Sequence, residues 1–307
     1  MTASSPTLSL RIDIDTFHGC REGVPRLARA LDALGVPGTF FAVAGRDTVG
    51  QHLRRIGQPG YLRRLRSVGA WEVLRRLRWR SLLYGTLLPG PRVAQGNAAL
   101  LRGLARAGHE VGLHGDDHAL WADREQALSR DEVRAYWRRA GSLFADALGF
   151  EARSAAAPNW RASERALEVF DEDGMRYRSD TRGAGVFRPR VGARILRTAQ
   201  LPVNLPTVHE LLASGGCSPA DAARGVVARL DPTVPNVWNL HDWFEGLRAP
   251  ELVRVVVEAA HARGFRVVPM AAVIEAADPS ALPVARVVRA AVPGGIGTVS
   301  CREIGEV

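Results

Sequence analysis

The sequence has no lysine, so all 41 of its basic residues are arginine. We attribute this absence to genome composition and draw no functional conclusion from it. Cysteine is also scarce. Cys20, Cys217 and Cys301 are scattered and form no CxxC pair, which indicates reduced thiols in a reducing compartment.

Long apolar runs are missing as well. None approaches the roughly 18 to 20 residues that a membrane-spanning helix requires, and the polar stretch Met1 to Thr7 does not resemble a signal sequence. We therefore expect a cytoplasmic protein that does not cross a membrane. Its 46% apolar and 24% charged residues are typical of a globular protein, and 307 residues suffice for one large α/β domain.

Short apolar runs alternate with helical patterns along the chain, which predicts parallel strands joined by helices. Helix starts are marked by a capping box at Ser129 to Glu132 and by Ser218 before Pro219. About seven strands favour a barrel, whose chemistry gathers at the carboxyl ends of the strands. The predicted strands are Leu8–Ile14, Thr39–Val43, Glu110–Leu113, Arg153–Ala156, Gln200–Val203, Asn236–Leu240 and Phe265–Val268.

Carboxylates and imidazoles follow two of these strands. Asp13 and Asp15 lie two residues apart on one face of the first strand, and His114 and His118 follow Glu110–Leu113, four residues apart. One carboxylate with two imidazoles leaves coordination positions open for water and substrate. We predict a catalytic metal site here. Taken separately, strand-end aspartates are more often helix caps and histidine pairs more often packed.

A basic segment at about residues 49–92 interrupts the alternation. Between Gln51 and Arg92 it carries ten arginines and one acid, Glu72, interleaved with apolar and aromatic residues. Helices with one basic and one apolar face bind anionic membrane surfaces, although a solvated basic face packed on the barrel is an alternative. No nucleic-acid motif accompanies the charge, so we expect no nucleic-acid partner. The predicted membrane contacts are Arg54, Arg55, Arg63, Arg64, Trp71, Arg75, Arg76 and Trp79.

Several motifs together resemble the polysaccharide deacetylase (NodB-homology) superfamily. They are Leu-Arg-Ile-Asp13-Ile-Asp15-Thr-Phe, Gly-His-Glu-Val-Gly-Leu-His114-Gly-Asp-Asp-His118, Ala-Pro-Asn-Trp160-Arg161, Tyr-Arg-Ser-Asp180-Thr-Arg182 and the closing Leu-Pro-Val-Ala-Arg-Val-Val-Arg. The resemblance covers essentially the whole chain. It implies a distorted (β/α)7 barrel at residues 1–307, with the basic helical insertion at about 49–92 and a C-terminal tail at about 280–307.

The resemblance also implies roles for individual residues. Asp15, His114 and His118 would hold one divalent metal, with zinc, manganese, cobalt and iron not distinguished. Asp13 would be the general base and His241 the general acid. Asp180 and nearby arginine side chains would orient the catalytic groups. Trp160 would form a wall of the sugar pocket, and Arg161 would contact the substrate. Three features beside that pocket differ from the family's usual pattern: Asp116, an extra residue at Pro158-Asn159, and Asp242-Trp243-Phe244 after His241.

Within the superfamily, the chain most resembles enzymes that deformylate 4-deoxy-4-formamido-L-arabinose linked to undecaprenyl phosphate. Such a substrate is held in the bilayer, which would explain the basic insertion and predicts peripheral attachment to the inner face of the membrane. Arg182 and Arg188 are candidate phosphate contacts, and no obligate protein partner is evident. The alternatives are N-deacetylation of a polyprenyl-phosphate-linked hexosamine or another oligosaccharide, and a catalytically silent carbohydrate- or lipid-binding homologue.

Overall fold

The computed structural model describes residues 5–51, 79–215, 217–295 and 297–303. Within these residues, no helix combines the length and the apolar character needed to span a bilayer. Seven of the eight predicted membrane contacts, Arg54, Arg55, Arg63, Arg64, Trp71, Arg75 and Arg76, lie outside the described residues.

A curled sheet of eight parallel strands forms the centre of the fold. Its strands are β1 (Thr7–Ile14), β2 (Thr39–Ala42), β3 (Glu110–Leu113), β4 (Ser154–Ala155), β5 (Tyr177–Arg178), β8 (Ala199–Gln200), β9 (Asn236–His241) and β10 (Arg266–Val267). The order along the sheet is β10-β1-β2-β3-β4-β5-β8, and β9 also pairs with β1, which therefore lies between β2 and β9. This half-barrel confirms the predicted α/β class.

Helices pack around the sheet, and their apolar side chains contribute to the buried core. The two predicted N-terminal caps are confirmed, since the side chains of Ser129 and Ser218 each form a capping box with the third residue of their helix. The α-helices are Val24–Leu34, Val93–Gly96, Ala98–Arg106, His118–Arg124, Arg130–Leu148, Glu164–Phe170, Val208–Gly215, Pro219–Val227, Glu251–Ala262 and Met270–Ala276.

Single turns of tighter or wider helix join several elements. The 3-10 turns are Trp79–Leu83, Glu125–Ala127 and Pro158–Trp160, and the π-helical turns are Gly19–Gly23 and Asp242–Gly246. The two π-helical turns directly follow the β1 and β9 regions, where the predicted catalytic residues lie.

The amino-terminal end of the half-barrel is closed by a buried polar cluster around Glu110. One carboxylate oxygen of Glu110 accepts hydrogen bonds from Ser154 Oγ (2.7 Å) and the Tyr177 hydroxyl (2.8 Å). The other accepts from Thr39 Oγ1 and from the backbone N–H of Ala271, both at 3.0 Å. The hydrogen bond from Ala271 attaches the helix Met270–Ala276 to this end of the sheet.

The C-terminal part of the chain forms two smaller β structures. Strand β11 (Val284–Ala285) pairs with β6 (Arg188–Val191), which pairs in turn with β7 (Arg194–Ile195), and β12 (Val287–Ala291) forms an antiparallel hairpin with β13 (Thr298–Arg302). The predicted tail at about 280–307 therefore contains β structure. The hairpin is joined to the main domain, because Ser300 accepts a hydrogen bond from the backbone N–H of Arg182 (2.8 Å) through its carbonyl.

Candidate active site

Parallel strand register brings the predicted base and acid together. Asp13 on β1 is the ladder partner of His241 on β9, while Phe41 of β2 occupies the same level on the other side of Asp13. Both polar side chains are buried at the carboxyl ends of their strands. The sheet itself thus fixes their spacing.

Asp15, His114 and His118 form a compact group that could hold a metal ion, with one ligand atom from each residue lying within 4.8 Å of the others. Asp15 Oδ1 lies 3.3 Å from His114 Nε2 and 3.6 Å from His118 Nε2. Two ligand atoms on one tetrahedral zinc ion would be separated by roughly 3.3 Å. The observed spacing fits a shared ion.

The two oxygens of Asp15 have different surroundings. Oδ2 accepts a hydrogen bond from the indole Nε1 of Trp243 at 3.1 Å. Oδ1 is buried and has no hydrogen-bond partner among the described residues. A buried carboxylate oxygen without a donor is costly unless a cation meets it, so the donor set fits a divalent metal. Burial opposes ionisation of Asp15, yet the neighbouring His118 and His114 hold its pKa well below the usual value.

The chain fixes His114 in the orientation that a metal ligand needs. Its Nδ1 lies 2.8 Å from the carbonyl oxygen of Ala156, which is brought there by the pairing of Leu113 with Ala155 in the β3–β4 ladder. Since a carbonyl can only accept, the proton resides on Nδ1 and the Nε2 lone pair points toward Asp15.

His118, four residues after His114, also lies close to Asp15 Oδ1. Gly115 takes a left-handed backbone conformation (φ 79°), which turns the chain after β3. Asp117 caps the helix that begins at His118 by accepting a hydrogen bond from Leu120 N, and the Tyr136 hydroxyl receives the backbone N–H groups of Asp116 and Asp117. The four-residue spacing therefore brings both imidazoles to the same carboxylate oxygen, Asp15 Oδ1.

Asp13 differs from Asp15 because both of its oxygens are occupied. The fully buried guanidinium of Arg11 donates to Oδ1 and Oδ2, each at 2.8 Å, and Arg11 is itself held by the carbonyl and hydroxyl oxygens of Ser179. Burial alone would raise the pKa of Asp13, but the adjacent guanidinium of Arg11 outweighs it and lowers that pKa. Asp13 thus remains ionised beside the cluster, 3.7 Å from His114 Nε2.

His241 is linked to Asp13 through Asn239. The Asn239 side-chain amide nitrogen lies 3.2 Å from Asp13 Oδ2 and 3.5 Å from His241 Nε2. Burial lowers the pKa of His241, while the carboxylates of Asp15 and Asp13 act in the opposite direction. Glu245 fixes the backbone here, since its Oε2 accepts the N–H of His241 at 2.7 Å.

We expect Glu245 to make stability depend on pH, because burial raises its pKa from the ordinary 4.5 to about 8. The folded chain then holds a proton that the unfolded chain loses, so this stabilisation is full below about pH 4.5 and fades as pH rises toward about 8. Glu245→Gln cannot ionise. The difference in melting temperature, variant minus wild type, should grow over this window in thermal unfolding, and a difference independent of pH would contradict the assignment.

Trp160 lies at the rim in a strained backbone conformation. Asn159 and Trp160 both have positive φ, 53° and 48°, which costs of order 1–3 kcal/mol for each residue other than glycine. The indole lies between the guanidinium groups of Arg11 and Arg182, at 5.6 and 4.7 Å from the ring centroid.

The other predicted site residues occupy different environments. Arg182 donates to both oxygens of Glu210 at 3.2 Å, and the carbonyl of Arg161 accepts from the Trp121 indole at 2.9 Å. Arg188 belongs to the small sheet, where its Nε donates to Leu196 O, and it lines a cavity of about 340 Å³ together with Arg176 and Arg197. No hydrogen bond among the described residues joins Arg188 to the metal-binding group.

Sequence reasoning missed four residues that shape the site: Arg11, Asn239, Trp243 and Asp242. Asp242 holds the turn after β1, since its two oxygens accept from the backbone N–H groups of Asp15 (3.2 Å) and Thr16 (3.0 Å). Only Arg11 gave a usable signal, because it shares a strand face with Asp13. The other three act across more than 220 residues of sequence.

Comparison with known proteins places the chain in a family. The sequence profile of the polysaccharide deacetylase family matches residues 2–178. The chain is 30% identical over 276 residues to a protein of Shewanella sediminis (strain HAW-EB3) named probable 4-deoxy-4-formamido-L-arabinose-phosphoundecaprenol deformylase ArnD, covering 88% of this chain and 87% of the relative.

Solved structures agree on the fold. A putative polysaccharide deacetylase from Mycobacterium smegmatis superposes with a TM-score of 0.64 at 17% identity, covering 95% of this chain and 97% of that one. A family 4 acetyl xylan esterase from Clostridium thermocellum, in complex with a cobalt ion, gives a TM-score of 0.52 at 15% identity, covering 91% and 97%.

The chain therefore belongs to the polysaccharide deacetylase family. It is a metal-dependent hydrolase of a non-peptide amide, similar to the ArnD deformylases.

Proposed function

We propose that the protein removes the N-acyl group, as formate, from a 4-formamido sugar linked to undecaprenyl phosphate. The observation that carries the chemistry is the unpartnered Asp15 Oδ1 facing two imidazoles, with the ionised Asp13 beside it. The substrate is inferred from the name of the Shewanella relative. Asp15, His114 and His118 would hold the metal.

The proposed reaction divides the work between two side chains. A bound divalent metal supplies Lewis acidity, which polarises the acyl oxygen and makes water easier to deprotonate. Asp13 takes the proton from the attacking water, and the bidentate contact with Arg11 keeps its carboxylate aimed at the reaction centre.

His241 gives a proton to the departing amine nitrogen, because an amine anion is too poor a leaving group. Burial holds the pKa of His241 below its ordinary value, although the carboxylates of Asp15 and Asp13 oppose this effect, so the proposed donor is an imidazolium that readily gives up its proton. The side-chain amide of Asn239 contacts both Asp13 and His241. Asn239 thereby keeps the proposed proton acceptor, Asp13, next to the proposed proton donor, His241.

We further propose that the sugar lies against Trp160 and Arg161 and that its phosphate meets Arg182 or Arg188. Arg182 supports this through its stacking on Trp160, although its charge is shared with Glu210. Arg188 is proposed as a second arginine for the phosphate, and it lines a cavity with Arg176 and Arg197.

Attachment to the inner face of the membrane is part of the proposal. The ends of the basic insertion join the domain at the rim of the site: Asp47 accepts a hydrogen bond from Phe17 N (2.9 Å), and Thr48 donates to Asp117 (3.0 Å), the residue before His118. Near these ends Trp79 and Leu87 are 71% and 79% exposed, and Arg80 is exposed beside them. Exposed apolar side chains with adjacent arginine suit an anionic lipid surface.

The double variant Trp79→Ala/Leu87→Ala should weaken binding to phosphatidylglycerol-containing vesicles about tenfold, since two apolar side chains no longer enter the interface. Sedimentation with vesicles measures this, and added salt should weaken binding of the wild type. Ile195→Ala is the matched control, because Ile195 is 44% exposed in the small sheet. Equal binding of the double variant and the wild type would remove Trp79 and Leu87 from the membrane contact.

A direct assay tests the substrate. Metal-loaded protein is incubated with formamido- and acetamido-sugar polyprenyl phosphates, and the released formate and acetate are measured by mass spectrometry. The proposal expects formate release that a chelator stops. Acetate release alone would favour an N-deacetylase, and release of neither would favour a silent binding homologue.

A further inference from the structure

One buried peptide group joins Asp180 to a proposed metal ligand. The carbonyl of Ala156 lies 2.8 Å from His114 Nδ1. The N–H of Ala157, which belongs to the same peptide group, donates to Asp180 Oδ1 at 2.7 Å. His114, Ala156, Ala157 and Asp180 are all buried, so the chain of hydrogen bonds runs from imidazole through peptide to carboxylate without solvent.

Two other side chains bind the second oxygen of the Asp180 carboxylate. Oδ2 accepts hydrogen bonds from Arg178 Nε at 2.8 Å and from the side-chain amide of Gln200 at 2.9 Å, and the side-chain oxygen of Gln200 accepts a hydrogen bond from the backbone N–H of Asp180. Arg178 is enclosed between the rings of Trp137 and Phe170, at 4.2 and 3.5 Å from their centroids. Asp180 is therefore rigid, and none of its hydrogen bonds among the described residues goes to Asp13 or His241.

We infer that Asp180 is a positioning residue that acts on His114 through the Ala156–Ala157 peptide. A carboxylate that accepts the peptide N–H polarises the group and makes its carbonyl a stronger acceptor for the imidazole N–H. The imidazole is thereby fixed with its proton on Nδ1 and becomes a better donor to metal through Nε2. This inference rests on the proposed metal site, and it departs from the expectation that Asp180 orients the base or the acid.

Asp180→Asn tests the effect of the charge, since Asn keeps the side-chain shape and an oxygen acceptor for Ala157. The expected result is a Co²⁺ dissociation constant raised about tenfold, the lower end of the usual effect of groups that support metal ligands. Isothermal titration calorimetry measures this constant. The resonance of the His114 Nδ1 proton in metal-free protein should move upfield in the variant, while the ring resonances of histidines outside this chain of hydrogen bonds stay in place, which separates the effect from a general loosening of the fold.

Asp173→Asn is the matched control. Asp173 Oδ2 lies 3.5 Å from Nη1 of the same Arg178, and no hydrogen bond among the described residues joins Asp173 to Ala157. Its replacement should leave Co²⁺ affinity within about twofold, because it perturbs Arg178 without touching the peptide. Equal weakening in Asp173→Asn and Asp180→Asn, or unchanged affinity in Asp180→Asn, overturns the inference.

Should Asp180→Asn fail to fold, Gln200→Ala decides instead. It keeps the charge of Asp180 but removes two hydrogen bonds that orient it, so Co²⁺ affinity should fall about threefold, and unchanged affinity overturns the inference. A wild-type protein that binds no Co²⁺ overturns the proposed metal site and this inference together. A wild type that binds while the Asp180→Asn variant binds equally well overturns only the inference.

Discussion

Asp13→Asn is expected to lower kcat/KM by about 10³-fold, within the range typical of a lost general base. Asn has nearly the same shape but cannot take a proton from water at neutral pH. Metal binding should survive, because Asp13 is not needed for the group formed by Asp15, His114 and His118. Steady-state kinetics with the formamido substrate and titration with Co²⁺ give the two quantities.

The buried Arg11 must be controlled for in this experiment. Asp13→Asn leaves its guanidinium without a counter-charge, and an unpaired buried charge destabilises a protein by about 3–5 kcal/mol. The double variant Arg11→Gln/Asp13→Asn removes both charges of the pair. It should recover melting temperature but not activity. If the double variant regains turnover, the unpaired arginine rather than the missing base caused the loss.

His114→Ala should abolish both metal binding and turnover. The variant loses one of three ligand atoms, so we expect Co²⁺ affinity to fall by at least about 100-fold, beyond the usual effect of a supporting residue. Unfolding should also become easier by about 1–3 kcal/mol, because the buried carbonyl of Ala156 loses its donor. Calorimetric titration and thermal unfolding separate the two effects.

His261→Ala serves as the control for His114→Ala, because His261 is exposed on the outer helix Glu251–Ala262. It should retain wild-type metal affinity and activity. A folded His114→Ala protein that binds Co²⁺ as tightly as the wild type would remove His114 from the ligand set.

Most of the sheet was predictable because buried parallel strands appear in the sequence as short runs of apolar residues. Glu110–Leu113 was predicted with its observed bounds, and β1 and β2 differ by one residue. Strand β5 was not predicted. It is only two residues long, and Arg178 looks solvent-exposed in sequence, whereas it is buried between two aromatic rings.

The metal-binding group was predictable for a different reason. Carboxyl ends of parallel strands meet at one edge of a sheet, so polar residues that follow apolar runs are brought together wherever those runs lie in the sequence. The different surroundings of Asp13 and Asp15 were not visible this way. Arg11 donates to Asp13 and Trp243 donates to Asp15, and neither contact follows from hydrophobic periodicity.

The pairing of Asp13 with His241 on one rung of the β1–β9 ladder has an evolutionary consequence. Neighbouring strands lie about 4.8 Å apart, so the distance between the proposed proton acceptor and the proposed proton donor is set by the sheet and does not depend on loop length. On the proposed mechanism, a change of sugar, acyl group or lipid therefore requires no change in the β1–β9 ladder.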